Sequence, residues 1–159
     1  LHEAFAAGEY DAWHLSGHGR FRAAISDRSV MYLENDETLT PENLQGIAKN
    51  LGIPRPLVFL NACQIGRSGM SLTDIGGWAK QFLNAGAGAF IGPYWLVNDQ
   101  PACDFSKQVY SRLCAGIPIG RAIQEARLAI KATGDPTWLA YTVFADPLAT
   151  VQESISSPQ

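Results

Sequence analysis

Two short apolar runs constrain this chain more than anything else in it. Asp11-Ala12-Trp13-His14-Leu15-Ser16-Gly17-His18-Gly19 and Pro56-Leu57-Val58-Phe59-Leu60-Asn61-Ala62-Cys63 each read as a buried strand that runs into small residues and presents one reactive side chain at its end. Open α/β sheets keep their chemistry at the carboxyl ends of their strands. His18 and Cys63 are the two side chains at those ends.

The rest of the pattern alternates. Leu1 to Ala7 closes a helix at Gly8, and Ala12 to Ser16 is the first strand. Phe21 to Ile25 and Ser29 to Leu33, separated by Ser26-Asp27-Arg28, predict a small hairpin or an excursion beside the sheet. At Thr40-Pro41-Glu42-Asn43 a capping threonine precedes a proline suited to the first helical position, and Leu44, Ile47, Ala48 and Leu51 form an apolar stripe. Gly52 and Pro54 stop that helix, and the second strand follows at Leu57 to Asn61. Beyond a loop at Gln64 to Ser71 come a helix from Thr73 to Ala85 and a third strand from Ala87 to Gly92. Amphipathic spacing predicts helices over Asp99 to Cys114 and Ile119 to Ala132, with Gly116 and Pro118 between them. Thr137 to Ala145 reads as a last strand. This order implies an α/β fold with a mostly parallel sheet flanked by helices, its strands sharing one carboxyl edge. His18 and Cys63 meet on that edge if their strands pair.

Composition sets the outer bounds. A chain of 159 residues, 47% hydrophobic and 17% charged, predicts one globular unit with a substantial core. A net charge of -3 without a long basic run argues against a nucleic-acid binder that works by neutralising phosphates. No apolar stretch reaches the roughly 20 residues of a spanning helix, and no basic segment opens an apolar one, so neither membrane nor secretion signal is expected. Three cysteines in no metal-like spacing fit free thiols in a reducing compartment, which points to the cytoplasm. Cys103 and Cys114 fall about 16 Å apart on one helix, too far to bridge. The opening at Leu1, already inside a helix-then-strand pattern, reads as a cut-out from something longer.

The pairing of thiol and imidazole has a chemical reason. Cysteine attacks as thiolate, and its ordinary pKa near 8.5 calls for a neighbour that takes the proton. Histidine can accept it and return it near neutrality. Attack on an amide carbonyl also builds an oxyanion, and backbone N–H groups in tight glycine turns supply donors for it. The N–H groups of Gly19 and Cys63 are the expected pair.

With these residues set out, the chain resembles a known family. His14-Leu15-Ser16-Gly17-His18-Gly19 is similar to the His-Phe-Ala-Gly-His-Gly block of the CHAT domain, a branch of the caspase-like cysteine peptidases related to caspases and separases. Leu60-Asn61-Ala62-Cys63-Gln64-Ile65-Gly66 resembles its Leu-Ser-Ala-Cys-Glu-Thr-Gly block. The segment Ala89 to Asp99 and the closing block Pro136 to Pro147 resemble two further stretches in the same order. The resemblance implies a caspase-like three-layer sandwich, with residues 1–148 as the C-terminal portion of the domain; residues 149–159, polar with one isolated Ile155, read by composition as a disordered tail. That fold places two strands and a helix ahead of the histidine strand, so this piece is expected to lack its first strands, leaving an uncovered sheet edge. It further implies cysteine endopeptidase activity with His18 as general base and later acid, Cys63 as nucleophile, and Gly19 with Cys63 as oxyanion donors. Trp95 and Asp99 fall where the family builds its substrate pocket; Asp99 suits the start of the following helix equally well. No cofactor is implied. The expected partners are a protein or peptide substrate and other segments of the parent protein, such as helical repeats.

Departures from the pattern limit what carries over. Caspases proper have Gln-Ala-Cys-x-Gly, so their aspartate preference is not expected here. Pro93 and Tyr94 replace the usual Ser-Leu before Trp95. His14, His18 and Cys63 as a zinc set lack tight local spacing, and no metal is expected. Trp13, Trp78 and Trp138 read as core, Arg121 with Glu125 as a local pair on a solvated helix face, and Arg67, in the loop after Cys63, as either a contact to substrate or an activating segment, or an exposed flexible arginine. A redox sensor would need a resolving cysteine near Cys63 and finds none in sequence. The rival reading is a catalytically silent scaffold or signalling module of the same fold that binds partner domains.

Overall fold

The computed structural model describes residues 1–20, 30–33, 37–47, 51, 55–64, 74–95 and 97–151, with the backbone alone at 2, 18–20, 45–47, 62–64 and 74–76. The elements are α1 (His2–Ala7), β1 (Ala12–Arg20), β2 (Val30–Tyr32), β3 (Thr38–Leu39), α2 (Pro41–Ile47), β4 (Leu57–Gln64), α3 (Asp74–Asn84), β5 (Ala89–Pro93), α4 (Asp99–Cys114), α5 (Ile119–Lys131), α6 (Thr137–Ala140) and β6 (Tyr141–Ala145). The length predicts one globular unit, but the chain divides into two compact ones. One is Leu1–Asn98 with Ala140–Phe144, and the other is Asp99–Leu139 with Ala145–Gln159. The physical reason is locality: α4 and α5 are consecutive helices that bury their stripes in one another's company.

In the first unit the strands run in the order β3-β2-β1-β4-β5-β6. β1 pairs parallel with β4 and β4 with β5, while β2 joins β1 antiparallel and β3 joins β2 antiparallel. The chain is thus of the α/β class with a mostly parallel sheet and flanking helices. One face of the sheet supplies Leu15, Val58, Leu60 and Phe90 to a core with Phe5 of α1, Leu44 of α2, and Trp78 and Phe82 of α3. Aromatic rings run through it in series, Phe5 to Phe82 at 5.9 Å and Phe82 to Phe90 at 6.0 Å between centroids. Side chains alternate along a strand, yet Val58, Phe59 and Leu60 are all buried, so β4 is covered on both faces, as parallel strands require.

α2 begins as the sequence predicts. The Asn43 N–H donates to Thr40 Oγ1 at 3.1 Å, a side-chain cap on the first turn. Ile47's side chain, Ala48, Gly52 and Pro54 lie outside the described residues, as do Phe21 to Ser29, so the first half of the predicted hairpin is among them. Its second half is found as β2, bound to the end of β1 through Gly19↔Met31 and Arg20↔Val30.

Three predicted boundaries are corrected. β1 does not stop at Ser16 but continues to Arg20, and β4 runs past Asn61 to Gln64. Gly17, His18 and Gly19 have weak strand propensity of their own, but an eight-residue parallel register with β4 holds them extended. The segment from Thr137 begins as the helical turn α6, and the strand starts only at Tyr141. Asp135 Oδ1 accepts the Thr137 N–H at 2.8 Å with Pro136 between them, a helix start that overrides the apolar run behind it.

In the second unit α4 buries Ala102, Phe105, Val109 and Leu113, and α5 buries Ile119, Ala122, Ile123, Ala126 and Ile130. The expected Arg121–Glu125 pair is present at 2.8 Å, and Arg112 reaches the same carboxylate at 3.0 Å from α4. These two guanidinium hydrogen bonds, Arg121's first, hold the Glu125 carboxyl below its ordinary pKa. Hydrogen bonding continues to Ala149, one residue into the predicted tail, whose carbonyl accepts the Ile119 N–H at 2.9 Å. Residues 152–159 lie outside the description.

Candidate active site

On the sheet face opposite the α1–α3 core, β1 and β4 set up successive rungs. The parallel register pairs His14 with Phe59, Ser16 with Asn61 and His18 with Cys63. The two residues singled out from the sequence are therefore direct neighbours across adjoining strands, where backbones lie about 4.8 Å apart. Gly19 and Cys63 are each the penultimate residue of their strand. The predicted glycine turn is not what surrounds Gly19. It continues the strand, paired with Gln64 of β4 on one side and Met31 of β2 on the other. The reason is again the ladder, which extends a peptide that would turn if left alone.

The first of these three rungs is aromatic. The His14 ring stacks on Phe59 at 5.0 Å and 19°, and Tyr141 of β6 meets Phe59 edge-on at 5.7 Å. His14 is open to solvent on its outer side, and burial of the inner side lowers its pKa from 6.5. On the middle rung Ser16 is exposed, while Asn61 Oδ1 accepts a hydrogen bond from the buried Tyr141 hydroxyl at 2.9 Å. A depression of about 370 Å³ opens alongside β1, lined in part by His14, Ser16, Met31, Leu33 and Glu37.

The proposed pocket residues divide between the units. Trp95 is half-buried and follows β5 at the carboxyl end that β4 and β5 share. Asp99 is exposed and is the first residue of α4, in the other unit. Among the described residues no three His, Cys, Asp or Glu side chains gather as a metal site. The zinc set of His14, His18 and Cys63 includes two side chains outside that description. Trp78 is fully buried, as expected, whereas Trp138 is half-buried under the Lys131 ammonium at 4.8 Å. Cys103 is half-buried and Cys114 exposed, both free.

Sequence reasoning passed over Asn61 and Tyr141. Asn61 had a visible signal, a lone amide in an apolar strand two residues before Cys63. Tyr141 had none, since its partner is 80 positions away.

A parallel sheet flanked by helices, with histidine and cysteine in register near the carboxyl ends of neighbouring strands, defines a caspase-like α/β protein. The CHAT domain pattern matches residues 1–146, and the chain belongs to that family. No curated protein matches it. No helix among the described residues is long and apolar enough to cross a membrane.

Proposed function

We propose that the chain is a cysteine endopeptidase. The observation that carries this reading is the His18↔Cys63 register on adjacent parallel strands. The Cys63 thiolate attacks a peptide carbonyl, and the oxyanion is held by the N–H groups of Gly19 and Cys63. The amine leaves with a proton from His18, and water, deprotonated by His18, hydrolyses the thioester. Trp95, just past the end of β5, is assigned to the substrate side chain. The proposed partners are a protein or peptide substrate and other segments of the parent protein, such as helical repeats. Free thiols suit work in the cytoplasm.

Labelling with a peptidyl acyloxymethyl ketone tests the reading. Cys63 takes the label, and His18→Ala slows labelling by about 100-fold or more. Equal modification of Cys103 or Cys114, or labelling of Cys63 indifferent to His18→Ala, refutes the peptidase and favours a silent scaffold.

A further inference from the structure

We propose that Tyr141 and Asn61 form a positioning pair that aims a fixed amide donor at the Cys63 end of β4. The inference rests on the peptidase reading only in giving Cys63 the role of nucleophile. Strand alternation places Asn61 and Cys63 on the same face of β4, about 7 Å apart along the strand. The Asn61 carbonyl oxygen accepts from the Tyr141 hydroxyl. A side-chain amide is planar, with oxygen and nitrogen diverging from one carbon, so fixing the oxygen toward Tyr141 turns the NH2 group away from it. That turns the donor from β6 back toward β1, where Ser16 stands opposite Asn61 in the register.

Tyr141 is built to hold this geometry. It is 1% exposed, its ring is set against Phe59, and the carbonyl of Ala140 beside it accepts the Tyr94 N–H at 2.7 Å. Phenylalanine would fill the same space without a buried hydroxyl to satisfy. The hydroxyl bridges from β6 past β5 to β4, and its hydrogen bond there is to Asn61, the residue that precedes Cys63 on that face of β4. A donor fixed beside a thiol favours the thiolate. By alternation the other ionisable residues on this face of the described strands are His14, His18 and Arg20 of β1 and Tyr32 of β2; β5 contributes Ile91 and Pro93, which do not titrate.

The test is the pH dependence of Cys63 alkylation by iodoacetamide, followed by peptide mapping so that Cys103 and Cys114 are counted separately, with Cys63→Ser as the blank. Tyr141→Phe raises the midpoint by about half a pH unit, an approximately threefold loss of thiolate below it. Asn61→Ala raises it similarly, and adding Tyr141→Phe to Asn61→Ala moves it no further. An unchanged midpoint in Tyr141→Phe, or an equal shift on the Asn61→Ala background, overturns the proposal. Should Tyr141→Phe fail to fold, Asn61→Ala decides alone, since an unchanged midpoint there removes the donor from any role. Alkylation needs no peptide substrate, so the outcome stands apart from whether the chain cleaves peptides.

Discussion

Burial of one side of the His14 ring, where it stacks on Phe59, disfavours its protonated form. Its folded pKa lies below the unfolded value of 6.5, so the unfolded chain takes up a proton that the native state refuses. This part of the stability is complete above about pH 6.5 and is lost as the pH falls toward the folded value. His14→Phe keeps the stacked ring and removes the titration. Thermal melts at about pH 7 and about pH 5 should show a smaller acid-induced drop in Tm for His14→Phe than for the unmodified chain. His14 was legible only as a second histidine four positions from His18. Its ring partner depended on which residue of β4 lay opposite, and register is fixed by pairing, which periodicity alone does not supply.

The closing block Asp146-Pro147 matters most to an element it does not belong to. The first N–H groups of any helix lack partners inside it. In α5 the Ile119 N–H donates to the Ala149 carbonyl and the Gly120 N–H to the Pro147 carbonyl at 3.0 Å. A Cβ on Gly120 would lie 2.9 Å from both the Pro147 carbonyl oxygen and its Cβ, a separation that forces the backbone apart. Gly120→Ala should therefore destabilise the chain by about 1–3 kcal/mol, read as a lower denaturant midpoint at unchanged m-value. Helices such as α4 were readable to the residue, because the 3–4 spacing of Ala102, Phe105, Val109 and Leu113 stops at Gly116 and Pro118. Strand ends were not. Gly17 to Arg20 are extended by their neighbours in β4 and β2 and not by their own preference, and Tyr141 begins a strand only after a capped turn has ended.

At the scale of the whole molecule, the two units rest on different physics. The first depends on long-range pairing and on the aromatic series from Phe5 through Phe82 to Phe90. Phe82 is 0% exposed at the middle of that series, and Phe82→Ala should cost about 3–5 kcal/mol in an equilibrium unfolding experiment. The fold class was legible because helices and strands alternate. The division was not, because β6 belongs to the first unit while the segments on either side of it belong to the second, and nothing in local composition marks such a return. Of the candidate site, the chemical identities of His18 and Cys63 were legible and their register was not.

The family pattern ends at residue 146, but the hydrogen bonds that close the first turn of α5 come from Pro147 and Ala149. A chain trimmed at the edge of the recognisable pattern would keep the His18 and Cys63 blocks and lose both of those acceptors. The smallest piece that can stand with α5 intact therefore extends through Ala149, which makes three residues outside the pattern part of the folding unit.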